Sequence, residues 1–320
     1  MVADHTMNTA SGIRISGWGV ALPPTIVTND DLSKTLDTSN EWILERSGIA
    51  KRHLGGSTSG LAIEAALQAL AVANLQPNDI DLLILATTTP DDQVPATANK
   101  VQHELGLTCG AMDINAACSG FVYSLVAGSG FLKTGCDRVL VIGSETLSRF
   151  TDWEDRSTAI LFGDGAGAVV LESSKTGGDL LGWNLSSSGE LRDILHCEIG
   201  GKIKMAGSEV FRKAVVAMTK SGKAAMDEAG VNPEEIALVV PHQANIRIIE
   251  TAMKKLDIPL EKSIWVGDRT ANTSSASIPI ALSEALNNNR VKKNDLILLV
   301  GFGAGMTSAS AVIRWGEADG

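Results

Sequence analysis

The strongest constraint on this chain's architecture is that it is written twice. "LAVANLQPNDIDLLILATTTP" in the first half has a counterpart in "MDEAGVNPEEIALVVPHQAN", each a helix tail, a proline turn, an acidic pair and an apolar strand. Pro77 and Pro233 lie 156 residues apart. "GCDRVLVIGSE" pairs with "KKNDLILLVGFG", placing Asp137 against Asp295 and Gly143 against Gly301, each at an offset of 158. Between them, "NAAC" (115–118) faces "NTSS" (272–275) at an offset of 157. A nearly constant offset at three landmarks means two copies of one unit, which we bound at residues 1–173 and 174–320.

The strands identify the unit. "DLLILATTT", "RVLVIGSE", "IALVVPH" and "DLILLVG" are continuous apolar runs, the pattern of strands covered on both faces. Helical stretches precede them, "TSGLAIEAALQALAVANL" and "GSEVFRKAVVAMTKSGKAAMDEAG"; in the second, Val210, Ala214, Met218 and Ala225 recur at helical spacing. The expected fold class is α/β, a duplicated, layered α-β-α-β-α architecture whose halves meet across a pseudo-twofold axis.

Composition excludes several functions. A formal net charge of −10 over 320 residues argues against nucleic-acid binding. No apolar run approaches the roughly 20 residues of a membrane-spanning helix, and the polar start "MVADHTMNTASG" lacks a signal-peptide core, so a cytoplasmic protein is expected. Cys109, Cys118, Cys136 and Cys197 form no CxxC pair and show no metal-type spacing with the five histidines, which fits reduced thiols and no metal site.

Cys118 stands where a strand-like run meets the helix "SGFVYSLVAGSGFLKTG", apolar or small on every side and expected to be buried, with Gly135 as its C-cap. Position alone leaves two readings: an inert buried thiol, or a nucleophile whose thiolate the helix dipole favours. A nucleophile needs partners from elsewhere in the chain. His242 ends the strand of "PHQANIR", as a structural cap or as a site residue. Asn272 precedes the second copy's helix, where capping alone is a sufficient role. "GFGAGMT" could be a tight turn or an oxyanion site built on backbone N–H groups. "FGDGAGAVVLE" has the glycines of a dinucleotide fingerprint but runs into a strand, so it reads as a hairpin or inter-strand turn; a nicotinamide oxidoreductase is disfavoured accordingly.

Taken together, "DTSNEWILERSGI", "NAACSGF", "FGDGAGAVVLE", "MAGSEVF", "PHQANIRII", "ANTSSASIPIAL" and "GFGAGMT" resemble the β-ketoacyl-acyl-carrier-protein synthase III family over almost the whole chain. The resemblance implies a thiolase-like fold, a homodimer and an acyltransferase. Its reaction is a decarboxylative condensation of a short acyl-CoA with malonyl-acyl-carrier protein, which initiates fatty acid synthesis. It implies no resident cofactor, coenzyme A arriving as part of the substrate. Carried over by residue, Cys118 would hold the acyl group, and His242 and Asn272 would hydrogen-bond the malonyl thioester oxygen. The N–H groups of Cys118 and Ala304 would form the oxyanion hole. Trp42 and Arg156 would sandwich the adenine of coenzyme A, and Thr38, Gly207, Phe211, Ala244 and Asn245 would line the pantetheine channel. Arg212, Lys213, Arg247, Lys254 and Lys255 would meet the acidic carrier protein. Val94 would reach across the dimer to close the acyl pocket.

Two departures bear on these expectations. The family more often has glycine at Ala304, so a backbone donor there requires a φ that suits a Cβ. The stretch "SSSGELRDILHCEIGGKIKM" is shorter than usual, which bears on acyl-chain preference. The alternatives are a related condensing or acyl-transfer enzyme of secondary metabolism (polyketide, quinolone or ester formation) and a non-catalytic dimer partner or acyl-binding protein.

Overall fold

The computed structural model describes residues 12–175 and 177–316. The two copies are visible at once. In the first, five strands lie in the order Gly12–Ala21, Asp164–Ser174, Arg138–Thr146, Leu82–Ala86, Gly110–Ile114. In the second, four lie in the order Asp179–Ser186, Thr307–Arg314, Leu296–Gly303, Ile236–Pro241. In each sheet a parallel pair (Leu82–Ala86 with Arg138–Thr146, Ile236–Pro241 with Leu296–Gly303) is extended on one side by two strands, each antiparallel to its neighbour. In the first sheet Gly110–Ile114 adds a further parallel strand on the other side. The second copy's fifth strand has shrunk to a single parallel bridge between Val239 and Ser263.

The sequence landmarks coincide structurally. Pro77 and Pro233 each open a one-turn 3₁₀ helix (Pro77–Asp79, Pro233–Glu235) closed by the same capping box, Asp79 accepting from the Gln76 N–H at 2.7 Å and Glu235 from Asn232 at 2.8 Å. The four apolar runs form the two parallel pairs. The strand expected after the glycines of "FGDGAGAVVLE" is Asp164–Ser174, whereas the antiparallel strands beginning at Gly12, Asp179 and Thr307 were not anticipated, since small and polar residues interrupt their apolar pattern.

Helix Thr58–Ala73 covers the outer face of the first sheet and helix Gly207–Ala229 that of the second; Val210, Ala214, Met218 and Ala225 are all buried. Helices Gly120–Lys133 and Ser277–Asn287 lie between the sheets and touch both, completing the α-β-α-β-α layers. The central apolar cluster draws on both halves, from Ile13, Ile84 and Val169 to Leu238, Ile297 and Ile313. Among the described residues no helix is long and apolar enough to cross a membrane.

Three expectations need correction. Helix Gly120–Lys133 is not buried all round: Gly130 and Phe131 are exposed and Tyr123, Val126 and Ala127 half-buried, leaving one apolar side at the surface of the single chain. Its cap residue is Thr134, with Gly135 one step further at φ 122°. The glycines of "FGDGAGAVVLE" are not a turn: Gly165 and Gly167 lie inside strand Asp164–Ser174. A Cβ on Gly167 would come within 2.8 Å of Ile280 N, so these glycines let the central helix approach the sheet.

Candidate active site

Cys118 sits in a 3₁₀ turn, Ala117–Ser119, that leads into helix Gly120–Lys133. Asn115 starts the turn by accepting from the Ala117 N–H at 3.2 Å, and Ala117 adopts φ 49°. In the second copy, Asn272 Oδ1 accepts from the Ser274 N–H at 2.9 Å, Ser274 adopts φ 49°, and Ser274–Ala276 forms the equivalent 3₁₀ turn. The capping role considered for Asn272 is therefore real, yet it uses only the amide oxygen. No acceptor for Nδ2 is found among the described residues, and Asn272 lines a cavity.

That cavity, of about 100 Å³, brings the three expected catalytic side chains together: Cys118, His242 and Asn272 all line it, with Phe302. His242 follows strand Ile236–Pro241, and its N–H donates to Val300 O at 2.8 Å. Its ring packs edge-on against Phe302, with centroids 5.4 Å apart. Nδ1 lies 2.6 Å from Ser277 Oγ, whereas Nε2 is buried without a partner. Burial pushes the imidazole down to about 3, so it is neutral at physiological pH. A neutral ring that donates through Nε2 must accept at Nδ1, as the Ser277 hydroxyl allows.

Burial likewise dominates at Cys118, whose thiol is pushed up to about 12; the Ser274 hydroxyl works in the opposite direction, and the Glu145 charge adds to the rise. Of the two readings left open by position, the helix-dipole preference for thiolate does not prevail in the resting site. The sulfur is a thiol that must lose its proton during reaction.

A second cavity, of about 640 Å³, meets the first at Cys118; Phe162 and Leu195 line both. Its walls come from Thr88, the stretch Pro90 to Gln93, Arg149, and the stretch Leu195 to Gly200. Ala304 also lines it. Ala304 opens the 3₁₀ turn Ala304–Met306 and is absent from the positive-φ residues, so a Cβ is accommodated there. Gly303 is the tight position: a Cβ on it would lie 2.6 Å from Cys118 N.

The remaining expected residues divide. Gly207, Phe211, Ala244 and Asn245 line the smaller cavity. Asn245 has its amide engaged, however, capping helix Ile246–Leu256 through Oδ1 (2.9 Å from Arg247 N) and donating to Arg46 O at 2.8 Å. Arg212, Lys213, Arg247, Lys254 and Lys255 are exposed on the two packed helices Gly207–Ala229 and Ile246–Leu256. Arg247 lies 5.7 Å over the Phe211 ring. Trp42 and Arg156 do not frame an open slot: the guanidinium rests 4.8 Å from the Trp42 ring centroid, held by Asp37 O at 2.6 Å, so a base would have to displace it. Thr38, Trp42 and Arg156 line neither cavity, and the Thr38 hydroxyl is buried without a partner. Val94 is 84% exposed and does not line its own chain's chamber, although Gln93 does. Sequence reasoning missed Ser277, Phe302 and Glu145; the last was visible as an acid closing an otherwise apolar strand, "RVLVIGSE".

Comparison with known proteins shows the family and the fold. Residues 112–189 match the family 3-oxoacyl-[acyl-carrier-protein (ACP)] synthase III, and residues 226–315 match its C-terminal domain. A β-ketoacyl-[acyl-carrier-protein] synthase III of Erythrobacter litoralis is 46% identical over 318 residues, covering 94% of this chain and 98% of its own. The crystal structure of the 3-oxoacyl-[acyl-carrier-protein] synthase III from Aquifex aeolicus superposes with a TM-score of 0.94 at 47% identity, over 95% of this chain and all of that one. The priming β-ketosynthase from the R1128 polyketide biosynthetic pathway reaches 0.91 at 30% identity, over 96% and 97%. This chain belongs to the β-ketoacyl-[acyl-carrier-protein] synthase III family, with the thiolase-like fold of that family.

Proposed function

We propose that the chain condenses a short acyl-CoA with malonyl-acyl-carrier protein, releasing carbon dioxide and initiating fatty acid synthesis through an acyl group held on Cys118. The carrying observation is the convergence of Cys118, His242 and Asn272 on one cavity from three distant segments. In the first half-reaction the Cys118 sulfur attacks the thioester carbonyl, and the oxyanion is held by the N–H groups of Cys118 and Ala304. The bond to coenzyme A breaks, and coenzyme A leaves as the thiol. In the second, the malonyl carbon–carboxylate bond breaks. The enolate oxygen receives hydrogen bonds from His242 Nε2 and Asn272 Nδ2, the two groups the protein leaves without an acceptor. The resulting carbanion attacks the acyl carbonyl, and Cys118 departs as thiolate and is reprotonated from solvent.

Gly207, Phe211, Ala244 and Asn245 are consistent with a pantetheine arm in the smaller cavity. Trp42 and Arg156 serve the adenine once Arg156 swings aside. The exposed basic residues from Arg212 to Lys255 offer an acidic carrier protein a complementary surface on a chain of net charge −10. A homodimer is supported by the unpaired edge of strand Gly110–Ile114 and the exposed apolar side of helix Gly120–Lys133; Val94 of one protomer would then close its partner's chamber. The protein works in the cytoplasm and needs no resident cofactor on this reading.

The experiment is incubation with acetyl-CoA, mass spectrometry of the peptide bearing Cys118, then addition of malonyl-acyl-carrier protein. An acetyl adduct and a ketoacyl product are expected; absence of both overturns the assignment. The 640 Å³ chamber favours one second reading, a priming enzyme of secondary metabolism that takes longer or branched acyl groups or another acceptor. Acyl-CoA donors of rising length, and malonyl-CoA set against malonyl-acyl-carrier protein, separate the two.

A further inference from the structure

The mechanism above leaves one group unused and one problem open. The group is Glu145, at the end of strand Arg138–Thr146 and fully buried. The problem is where the Cys118 proton goes. Glu145 has no ion-pair partner among the described residues; hydroxyl and amide donors hold it. Oε1 accepts from Ser274 Oγ at 2.9 Å and Ser275 Oγ at 2.8 Å; Oε2 accepts from Thr89 Oγ1 at 2.6 Å and from Thr88 N and Oγ1 at 3.0 Å each. Hydroxyls can rotate and exchange donor and acceptor roles, as a fixed guanidinium cannot, so such a shell tolerates a change of charge on the acid. Ser274 and Cys118 line the larger cavity together, on 3₁₀ turns that pack against each other, and the Ser274 hydroxyl favours the Cys118 thiolate.

The duplication sharpens the point. At the offset of 158 that relates Gly143 to Gly301, Glu145 corresponds to Gly303, and at 157 Ser274 corresponds to Ala117. Gly303 lies against Cys118 N and Ala117 Cβ much as Glu145 lies against Ser274 and Ser275. Only one copy carries the acid and only one carries the hydroxyl, and together they face the one nucleophile.

We propose that Glu145 receives the Cys118 proton through the Ser274 hydroxyl during acyl transfer. This rests on the reading of Cys118 as the acyl carrier. The S–H proton passes to Ser274 Oγ as the Ser274 O–H proton passes to Glu145, leaving a thiolate and a neutral carboxylic acid. The thiolate forms the acyl–sulfur bond, the bond to coenzyme A breaks, and the proton returns by the same hydroxyl to the departing sulfur. Charge is conserved at every stage. Losing the proton to water would instead leave two anions, Cys118 and Glu145, in one desolvated site, which is much the costlier state. His242 is the poorer acceptor, because its protonation would create a buried cation. Ser274 shares the cavity with the reacting sulfur, and Glu145 acts through the Ser274 hydroxyl 2.9 Å away.

The test separates the half-reactions. Acyl-adduct formation from acetyl-CoA is timed by rapid-quench mass spectrometry in the wild type, Glu145→Gln, Ser274→Ala and the double variant. Decarboxylation of malonyl-acyl-carrier protein is measured for each substitution in a Cys118→Ala background. Adduct formation is expected to fall at least about tenfold in each variant and no further in the double variant, with decarboxylation within about twofold of the Cys118→Ala parent. Adduct formation at the wild-type rate, or a parallel fall of both half-reactions, overturns the proton route. A wild type that forms no adduct overturns instead the reading of Cys118. Should Glu145→Gln fail to fold, Ser274→Ala decides alone, since Ala117 already holds the same φ of 49° in the first copy.

Discussion

Ala117 and Ser274, 157 positions apart, share a φ of 49°, and each opens the 3₁₀ turn that leads into its copy's central helix. The strained turn is thus common to both copies, while the chemistry is not: one presents the Cys118 sulfur, the other a hydroxyl and the Asn272 amide.

Removing either carboxamide or imidazole donor should separate the two half-reactions. His242→Ala and Asn272→Ala are each expected to slow malonyl decarboxylation by about 10²–10³-fold, the usual loss for one oxyanion donor. Carbon dioxide release from malonyl-acyl-carrier protein measures this; a loss below about threefold in both variants would remove them from the enolate site.

Ser277 fixes which nitrogen of His242 carries the proton. Ser277→Ala should lower decarboxylation by roughly tenfold, the equivalent of one hydrogen bond of about 1.4 kcal/mol. Nitrogen-15 NMR of the imidazole should show the Nε2–H tautomer in the wild type and a mixture in the variant. An Nδ1–H tautomer in the wild type would contradict the assignment.

The titration of His242 carries a definite sign. Its pKa is lowered to about 3 in the folded chain from an ordinary 6.5, so the unfolded chain binds the extra proton between those values. The resulting stability is fully present above about pH 6.5 and is lost as pH falls towards 3. Denaturant unfolding at pH 7 and pH 4 should show His242→Gln losing less stability over that interval than the wild type.

At Cys118, the resting sulfur is protonated throughout the physiological range, with its pKa pushed up to about 12. Ultraviolet difference absorbance between wild type and Cys118→Ala should reveal no thiolate below about pH 10. A thiolate band at pH 7 would mean that the helix dipole outweighs burial after all.

Gly303→Ala tests the packing under the nucleophile. The new Cβ would lie 2.6 Å from Cys118 N, against backbone that cannot rotate away. A loss of about 1–3 kcal/mol of stability, read by denaturant unfolding, and slower acyl-adduct formation are expected. Gly303 is extended at φ −159°, so the effect would come from contact and not from backbone strain.

Much of this site could be read from the sequence because it lies at the ends of apolar strands, where Pro241–His242 and Asn272 interrupt regular patterns and the repeat aligns one turn with the other. The residues that went unread act through tertiary contact. Ser277 is one serine among several in "TSSAS" until the fold sets it 2.6 Å from His242, and Phe302 resembles any core aromatic until it abuts that ring. The antiparallel strands from Gly12, Asp179 and Thr307 were missed because glycine, alanine and serine suit close helix packing and blur the hydrophobic period. Trp42 and Arg156 showed the converse limit: a motif gives partners, but their direct stacking is a matter of side-chain rotamers.

The central apolar cluster, drawn from both sheets, has a consequence for how the molecule comes apart. Cleaving the backbone near residue 175 would yield two fragments that each expose a face evolved to be covered by the other. Two copies in the text of the chain are therefore expected to melt as a single cooperative unit, in one transition by calorimetry and not two.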